Sequence, residues 1–164
     1  MALPKSRRIL GIDPGSRRTG YGVVDVNGAN LSPVAWGVIR TEEQGSFPDR
    51  LHRIHQGLTE VILAHRPTEA AVENVFLAKN AASALKLGHA RGAAIVACRV
   101  HDIPVYEYSA REIKMAATGY GAAPKEQVEG MVCRLLGIRE RIPPDASDAL
   151  AMAFCRAVTR SAGS

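Results

Sequence analysis

The sequence predicts an α/β protein in which a five-stranded mixed sheet is flanked by helices. Three features of the pattern carry that prediction. Three strand-like runs open the chain before any helical spacing appears, helical and strand-like stretches then alternate, and the chain closes on helices. No internal repeat or linker-like stretch divides it, so residues 1–164 are expected to form one domain around a single core.

The first strand, residues 8–13, is the apolar run Ile9-Leu10-Gly11-Ile12, halted at Asp13 by the turn chemistry of Pro14-Gly15. Residues 20–26 read as the second strand and roughly 32–40 as the third. Between them Asn27-Gly28-Ala29-Asn30 is a hairpin signal, so this pair is expected to be antiparallel. After a loop over 41–48, Leu51, Ile54, Leu58, Val61 and Ile62 recur at helical spacing and predict a helix over 48–65, ended by Pro67. Residues 68–75 read as the fourth strand with Glu73 near its end, 79–101 as one long helix, and 103–108 as the fifth strand. Ser109-Ala110-Arg111-Glu112 is a capping box that opens a helix through Ala117. A glycine-containing loop over 118–124 leads to Lys125 and a helix reaching Leu136, stopped by Gly137. Pro143-Pro144 precedes a final helix over 145–160.

Hydrophobic residues at 46% and charged residues at 23% are those of an ordinary globular protein. A net charge of +5 favours an anionic partner, and nucleic acid is the usual one. Cys98, Cys133 and Cys155 are far apart, which points away from a zinc site or disulfide framework and towards a reducing cytoplasm. The chain opens without the apolar run of a signal peptide, and no segment approaches the length of a membrane span, so no membrane partner is expected. His52 and His55, on a helix with no obvious acidic partner, read as surface histidines.

Most acidic residues fall on polar helix faces, where solvation accounts for them. Asp13, Glu73, Asp145 and Asp148 do not. Asp13 and Glu73 end apolar strands, where α/β proteins commonly place sites, although Asp13 before Pro14-Gly15 also suits a plain β-turn. Asp145 and Asp148 share a face at the start of the last helix, and the pair also suits N-terminal capping against the helix dipole. Asp145 can cap while Asp148 points at a site. If the four converge without a cation, repulsion forces at least one to stay protonated. Two Mg²⁺ ions would balance four carboxylates and accept their hard oxygens while leaving positions for water and phosphate. Such ions, about 3.5–4 Å apart, can activate a water and stabilise the leaving oxygen of a phosphodiester. An acidic pocket in a basic protein then becomes a nuclease site.

Gly11-Ile12-Asp13-Pro14-Gly15-Ser16-Arg17 followed by Thr19-Gly20-Tyr21-Gly22 resembles the opening of the RuvC family of Holliday junction resolvases. Glu73-Asn74-Val75-Phe76 with Ala78-Lys79-Asn80 resembles its second motif, residues 83–92 (SALKLGHARG) its long central helix, and Asp145-Ala146-Ser147-Asp148-Ala149-Leu150-Ala151 its last acidic motif. The stretches keep the family order across nearly the whole chain. The resemblance implies a ribonuclease H-like fold and a homodimer that cuts four-way DNA junctions at paired symmetric positions. It also implies two Mg²⁺ ions, with Mn²⁺ as a possible substitute, held by Asp13, Glu73, Asp145 and Asp148. In that reading Asp13 bridges the metals, Glu73 and Asp148 complete their shells, and Asp145 positions a metal or its water, giving a 5′-phosphate and a 3′-hydroxyl. Further implications are a branch-migration motor of RuvA–RuvB type as partner and a bacterial cytoplasmic, nucleoid-associated location.

By the same analogy Phe76 stacks on bases near the junction, and Lys114 and Lys125 contact DNA near the cut. Lys79, Asn80, Lys86 and Arg91 are further candidates for DNA contact. Arg17 and Arg18, beside Asp13, suit either a backbone phosphate or the balancing of local negative charge. Ala84, Gly88 and Gly92, one helical turn apart, allow close helix approach, either to the sheet or to a second copy of the chain. Three rivals stand beside this reading: an RNA-processing ribonuclease H-like nuclease, an actin-like nucleotide binder, and a non-catalytic junction-binding module. The actin-like fold needs two such domains, for which 164 residues are too few.

Overall fold

In a computed structural model of the chain, the structure describes residues 6–43, 45–74 and 79–159. Among them are five strands, β1 (Arg7–Asp13), β2 (Arg18–Asn27), β3 (Asn30–Arg40), β4 (Glu69–Glu73) and β5 (Val105–Tyr108). Five helices accompany them: α1 (Phe47–His65), α2 (Ala81–Val100), α3 (Ala110–Thr118), α4 (Lys125–Leu135) and α5 (Pro144–Thr159). The strands form a mixed sheet in the order β3-β2-β1-β4-β5, antiparallel across β3-β2-β1 and parallel across β1-β4-β5. Among these residues no helix is long and apolar enough to cross a membrane.

Local chemistry explains most boundaries. Asn27 pairs with Asn30, so the hairpin closes through Gly28-Ala29, with Gly28 at φ +61°. Ser46 and Asp49 form a capping box at α1, and Ser109 and Glu112 form the expected one at α3. The fourth and fifth strands start at Glu69 and Val105, one and two residues later than the sequence predicts, although the Thr68 N–H and the Pro104 carbonyl still bond to the neighbouring strands at Arg8 and Ala70.

Strand alternation splits the core into two layers. Leu10, Ile12, Val23, Ala70 and Val72 face α1 and α2, whereas Ile9, Val24 and Ala71 face α3, α4 and α5. Cys98 and Cys155 are buried, one in each layer, and burial pushes both thiols up to about 12. Glu69 is buried and points to the α5 side. It accepts a 2.6 Å hydrogen bond from Arg156 Nε of α5 and a second charged pair from Arg7. Arg156 also stacks 3.4 Å over the Tyr106 ring.

The contact that positions everything else is backbone against backbone. A Cβ on Gly11 of β1 would lie 1.8 Å from the Ala149 carbonyl oxygen, and one on Gly20 of β2 only 1.9 Å from that of Asp145. On Gly22 it would meet the Leu150 side chain at 2.7 Å. These glycines form a track on which α5 lies close against the sheet, with bare backbone facing it at Gly11 and Gly20 and the Leu150 side chain seated on Gly22. Gly20→Ala has no flexible neighbour to push aside, so it is expected to destabilise the fold by about 2 kcal/mol or more. Urea unfolding checks this. A variant as stable as the parent would show that α5 does not need the track.

Candidate active site

β1 and β4 run parallel with Ile12 beside Val72, so the next residue of each strand, Asp13 and Glu73, stands at the same sheet end. On the other side of β1, Asp13 pairs with Gly20, the glycine against which the Asp145 carbonyl rests. The track therefore places the first turn of α5, with Asp145 and Asp148, over the ends of these strands. The helix begins at Pro144, and the Pro143 carbonyl accepts from the Ser147 N–H at 3.0 Å. Asp145 thus lies inside the first turn rather than at its cap, which corrects the expectation that it caps the helix. A proline at the first helical position sets the start without a side-chain cap.

The turn after Asp13 is tied by hydroxyls. Thr19 Oγ1 donates to the Gly15 carbonyl at 3.1 Å and Thr41 Oγ1 to that of Ser16 at 2.6 Å. The end of β4 is held from α2: Arg91 Nε donates to the Glu73 carbonyl and Nη2 to Asn74 Oδ1, each at 3.2 Å, and the guanidinium also pairs with Glu107. The Asn74 N–H donates to the Tyr108 carbonyl at 2.8 Å. Arg91, a candidate phosphate contact by sequence, is thus consumed in positioning Glu73.

Glu73, Lys114, Lys125, Glu129 and Asp148 line a cleft of about 280 Å³ whose apolar wall includes Ile113, Val128 and Met152. Lys125 Nζ stands 3.0 Å from Asp148 Oδ2. Asp13 is the most perturbed acid: burial first, then the charges of Asp148, Asp145 and Glu73, push its carboxyl up to about 8, and Lys125 offsets only part. Burial also raises Glu73, with Asp148 adding to the effect and Lys114 and Lys125 opposing it, and raises Asp148, with Lys125 opposing and Asp145 adding. The Asp13 and Asp148 carboxyls act on each other: the Asp148 charge helps to raise Asp13, and interaction with Asp13 offsets part of the rise at Asp148.

Among the described residues, no three carboxylate, imidazole or thiol groups are drawn into a ready-made ion cage. The donor set nonetheless fits hard divalent cations: four carboxylates share one end of the sheet, and one ammonium does not neutralise them. Glu129 was not among the residues singled out from the sequence. Its signal was the spacing from Lys125, one turn along α4, which puts both on one face.

The remaining candidates disperse. Lys114 and Lys125 both line the cleft. Arg17, Lys79 and Lys86 are exposed. Arg18 is engaged with Glu42 at 2.7 Å. Asn80 is the N-cap of α2, its Oδ1 accepting from the Ser83 N–H at 2.9 Å. Phe76 lies outside the described residues. His52 is exposed and His55 half-buried.

A sequence model of the family described as "Crossover junction endodeoxyribonuclease RuvC" matches residues 9–156. A protein of that name from Methylococcus capsulatus is 56% identical over 148 residues, covering 90% of this chain and 88% of its own. Another from Acinetobacter baumannii is 56% identical over 149 residues, covering 91% and 82%. Among solved structures, Thermus thermophilus RuvC in complex with Holliday junction substrate is 38% identical with a TM-score of 0.90, covering 96% of each chain. The yeast mitochondrial Holliday junction resolvase shares the fold at 12% identity, TM-score 0.65, with 94% of this chain and 80% of its own covered. The architecture is the expected ribonuclease H-like one.

The raised Asp13 carboxyl has a measurable consequence in chelator. Below about pH 4 it is protonated in both folded and unfolded chains. Between there and about 8 the unfolded chain ionises while the folded one holds its proton, so stability falls as pH rises. Asp13→Asn removes this loss, so its stability advantage over the parent is expected to grow from pH 4.5 to 7.5. Denaturant unfolding at both values measures it. An equal difference at both would contradict the protonated state.

Proposed function

The chain belongs to the RuvC family of crossover junction endodeoxyribonucleases, and we propose that it resolves four-way DNA junctions by paired hydrolytic nicks in recombination and repair. The observation that carries this reading is the gathering of Asp13, Glu73, Asp145 and Asp148 at one sheet end, where Glu73 and Asp148 line a cleft together with Lys114 and Lys125. Acidic groups alone would repel a phosphodiester, and the lysines supply the attraction that brings it in.

Asp13, Glu73, Asp145 and Asp148 would hold two divalent ions, Mg²⁺ by preference and Mn²⁺ as a substitute. When bound, such ions neutralise the carboxylates and supply Lewis acidity at a scissile phosphate. For that to happen Asp13 must give up its proton and Asp148 must share or release Lys125. The freed ammonium, with Lys114, is then placed to pair with phosphate oxygens. The apolar wall of Ile113, Val128 and Met152 limits bulk water around the reacting group. Arg91 keeps the Glu73 backbone in place during this exchange of partners. The products are a 5′-phosphate and a 3′-hydroxyl. Exposed Lys79 and Arg17 track flanking phosphates, Asn80 and the ring of Phe76 contact DNA near the junction, and residues 1–164 act as one nuclease domain.

A two-fold junction asks for two copies of the site, and α2 is the surface for a homodimer. Leu85, Val96 and Val100 on it are exposed, and among the described residues a Cβ built on Gly88 or Gly92 meets nothing within 4 Å. Of the two expected uses of this small-residue stripe, the open space over the glycines supports close approach of a second copy. A branch-migration motor as partner and a nucleoid-associated cytoplasmic location are further parts of this proposal, supported by family membership.

The test sets labelled four-way junction, linear duplex and RNA–DNA hybrid against the protein with Mg²⁺ or chelator, with Asp13→Asn alongside. Expected are paired, metal-dependent nicks in the junction, reduced about 100-fold or more in the variant while binding persists. Cleavage confined to the hybrid would move the assignment to an RNA-processing nuclease, and binding without cleavage under any metal would make the protein a junction-binding module.

A further inference from the structure

We propose that Tyr120 is a base-stacking residue, a rigid aromatic platform for an unstacked nucleobase beside the cleft; the proposal rests on the junction-cleaving reading above. The motifs assign nothing to this side chain, yet its placement is unusual. Tyr120 is 59% exposed, and among the described residues its ring stacks with no other ring or guanidinium. An exposed aromatic face in a nucleic-acid-binding protein is available for base stacking.

The loop that carries it is built to hold it still. α3 ends at Gly119, whose φ of +75° turns the chain out of the helix. Thr118 Oγ1 donates to the Lys114 carbonyl at 2.8 Å and accepts from the Tyr120 N–H at 3.1 Å. The Tyr120 carbonyl accepts from the N–H of Ala123, which is fully buried, at 3.1 Å. Arg111 lies across the loop from α3: a Cβ on Gly121 would sit 2.7 Å from its Cγ and 3.2 Å from its Nε. The ring therefore projects from a backbone fixed at both ends, so stacking on it costs little ordering.

Its neighbours fit a nucleotide. Ala110, Ile113 and Lys114 are the cleft-facing stripe of α3, and Lys125 opens the cleft-facing stripe of α4. The Thr118–Pro124 loop joins α3 to α4, so Tyr120 lies on the segment between Lys114 and Lys125, both of which line the cleft, and Arg111 packs against that loop at Gly121. Cations flanking an exposed ring are the arrangement that grips phosphates while a base lies on the aromatic face. A junction offers unstacked bases at its crossover, next to where the cut falls.

Binding in chelator isolates this role from chemistry. Tyr120→Ala is expected to weaken junction binding at least fivefold, about the low end of one stacked base, and to leave the slope of affinity against salt unchanged, because no phosphate contact is lost. Tyr120→Phe is expected to stay within twofold of the parent. With 2-aminopurine scanned through the junction arms, at least one position within a few nucleotides of the cut should be quenched by the parent and the Phe variant but not by the Ala variant. Tyr120→Leu guards against a folding effect: it fills similar space without an aromatic face, and a weak Leu variant beside a tight Phe variant supports stacking. Equal affinities for Leu, Ala and Phe variants overturn the proposal, as does a Phe variant as weak as Ala, which would assign the effect to the hydroxyl. Loss of junction binding by the parent itself would instead defeat the junction reading.

Discussion

The closeness of α5 to the sheet is the constraint on which the rest of the structure depends. Helix and sheet normally meet through two layers of side chains, about 10 Å apart at their backbones. At Gly11, Gly20 and Gly22 the sheet's share of that padding is missing, and the Ala149 and Asp145 carbonyls and the Leu150 side chain fill the space a Cβ would need. The gain is reach. Aspartate has one methylene between backbone and carboxyl, so Asp13, Asp145 and Asp148 influence one another only because the backbones that carry them nearly touch. Side chains this short also have little freedom to swing apart, which keeps the charge concentrated.

That concentration explains how a chain of net charge +5 keeps an acidic centre. Burial and mutual repulsion together hold a proton on Asp13, and Lys125 answers Asp148. The resting site is thus partly neutralised by the protein's own proton and ammonium, and in the proposed function divalent cations would replace them. The positive surplus lies outside, on Arg17, Lys79 and Lys86, all exposed, where it can meet a polyanion. Attraction over long range and repulsion at the centre are then compatible, because the first acts on the DNA backbone and the second is relieved by counter-ions.

Much of this was legible in the sequence. Apolar runs, the Gly28 hairpin and the Ser109 capping box specify local structure through local chemistry, and the elements form where those signals stand. The four carboxylates were legible because two end strands and two share a helical face. What stayed hidden depends on contacts between distant segments. Arg91 read as a phosphate ligand, but its guanidinium is taken by Glu73, Asn74 and Glu107, partners that only the packing of α2 against the β4 end supplies. Glu129 read as one more solvated helix charge until α4 turned it towards Asp148. Asp145 suited a cap by residue type, and Pro144 moved the helix start ahead of it. Glycines in strands are ambiguous in one dimension, so the track beneath α5 emerged only with the helix in place.

Glu69 and Glu73 occupy one face of β4, four residues or about 13 Å apart. Arg156 and Asp148 stand eight residues apart on α5, about 12 Å along its axis. Strand and helix are therefore two struts of matched length laid antiparallel. At one end Arg156 clasps Glu69 by opposite charge, and at the other Asp148 faces Glu73 by like charge. Between these ends Gly11 and Gly20 seat the Ala149 and Asp145 carbonyls and Gly22 seats the Leu150 side chain, so the helix is notched onto the sheet along its length. An attraction buried at one end of the sheet and the notches between thus hold in place the charges that repel at the other.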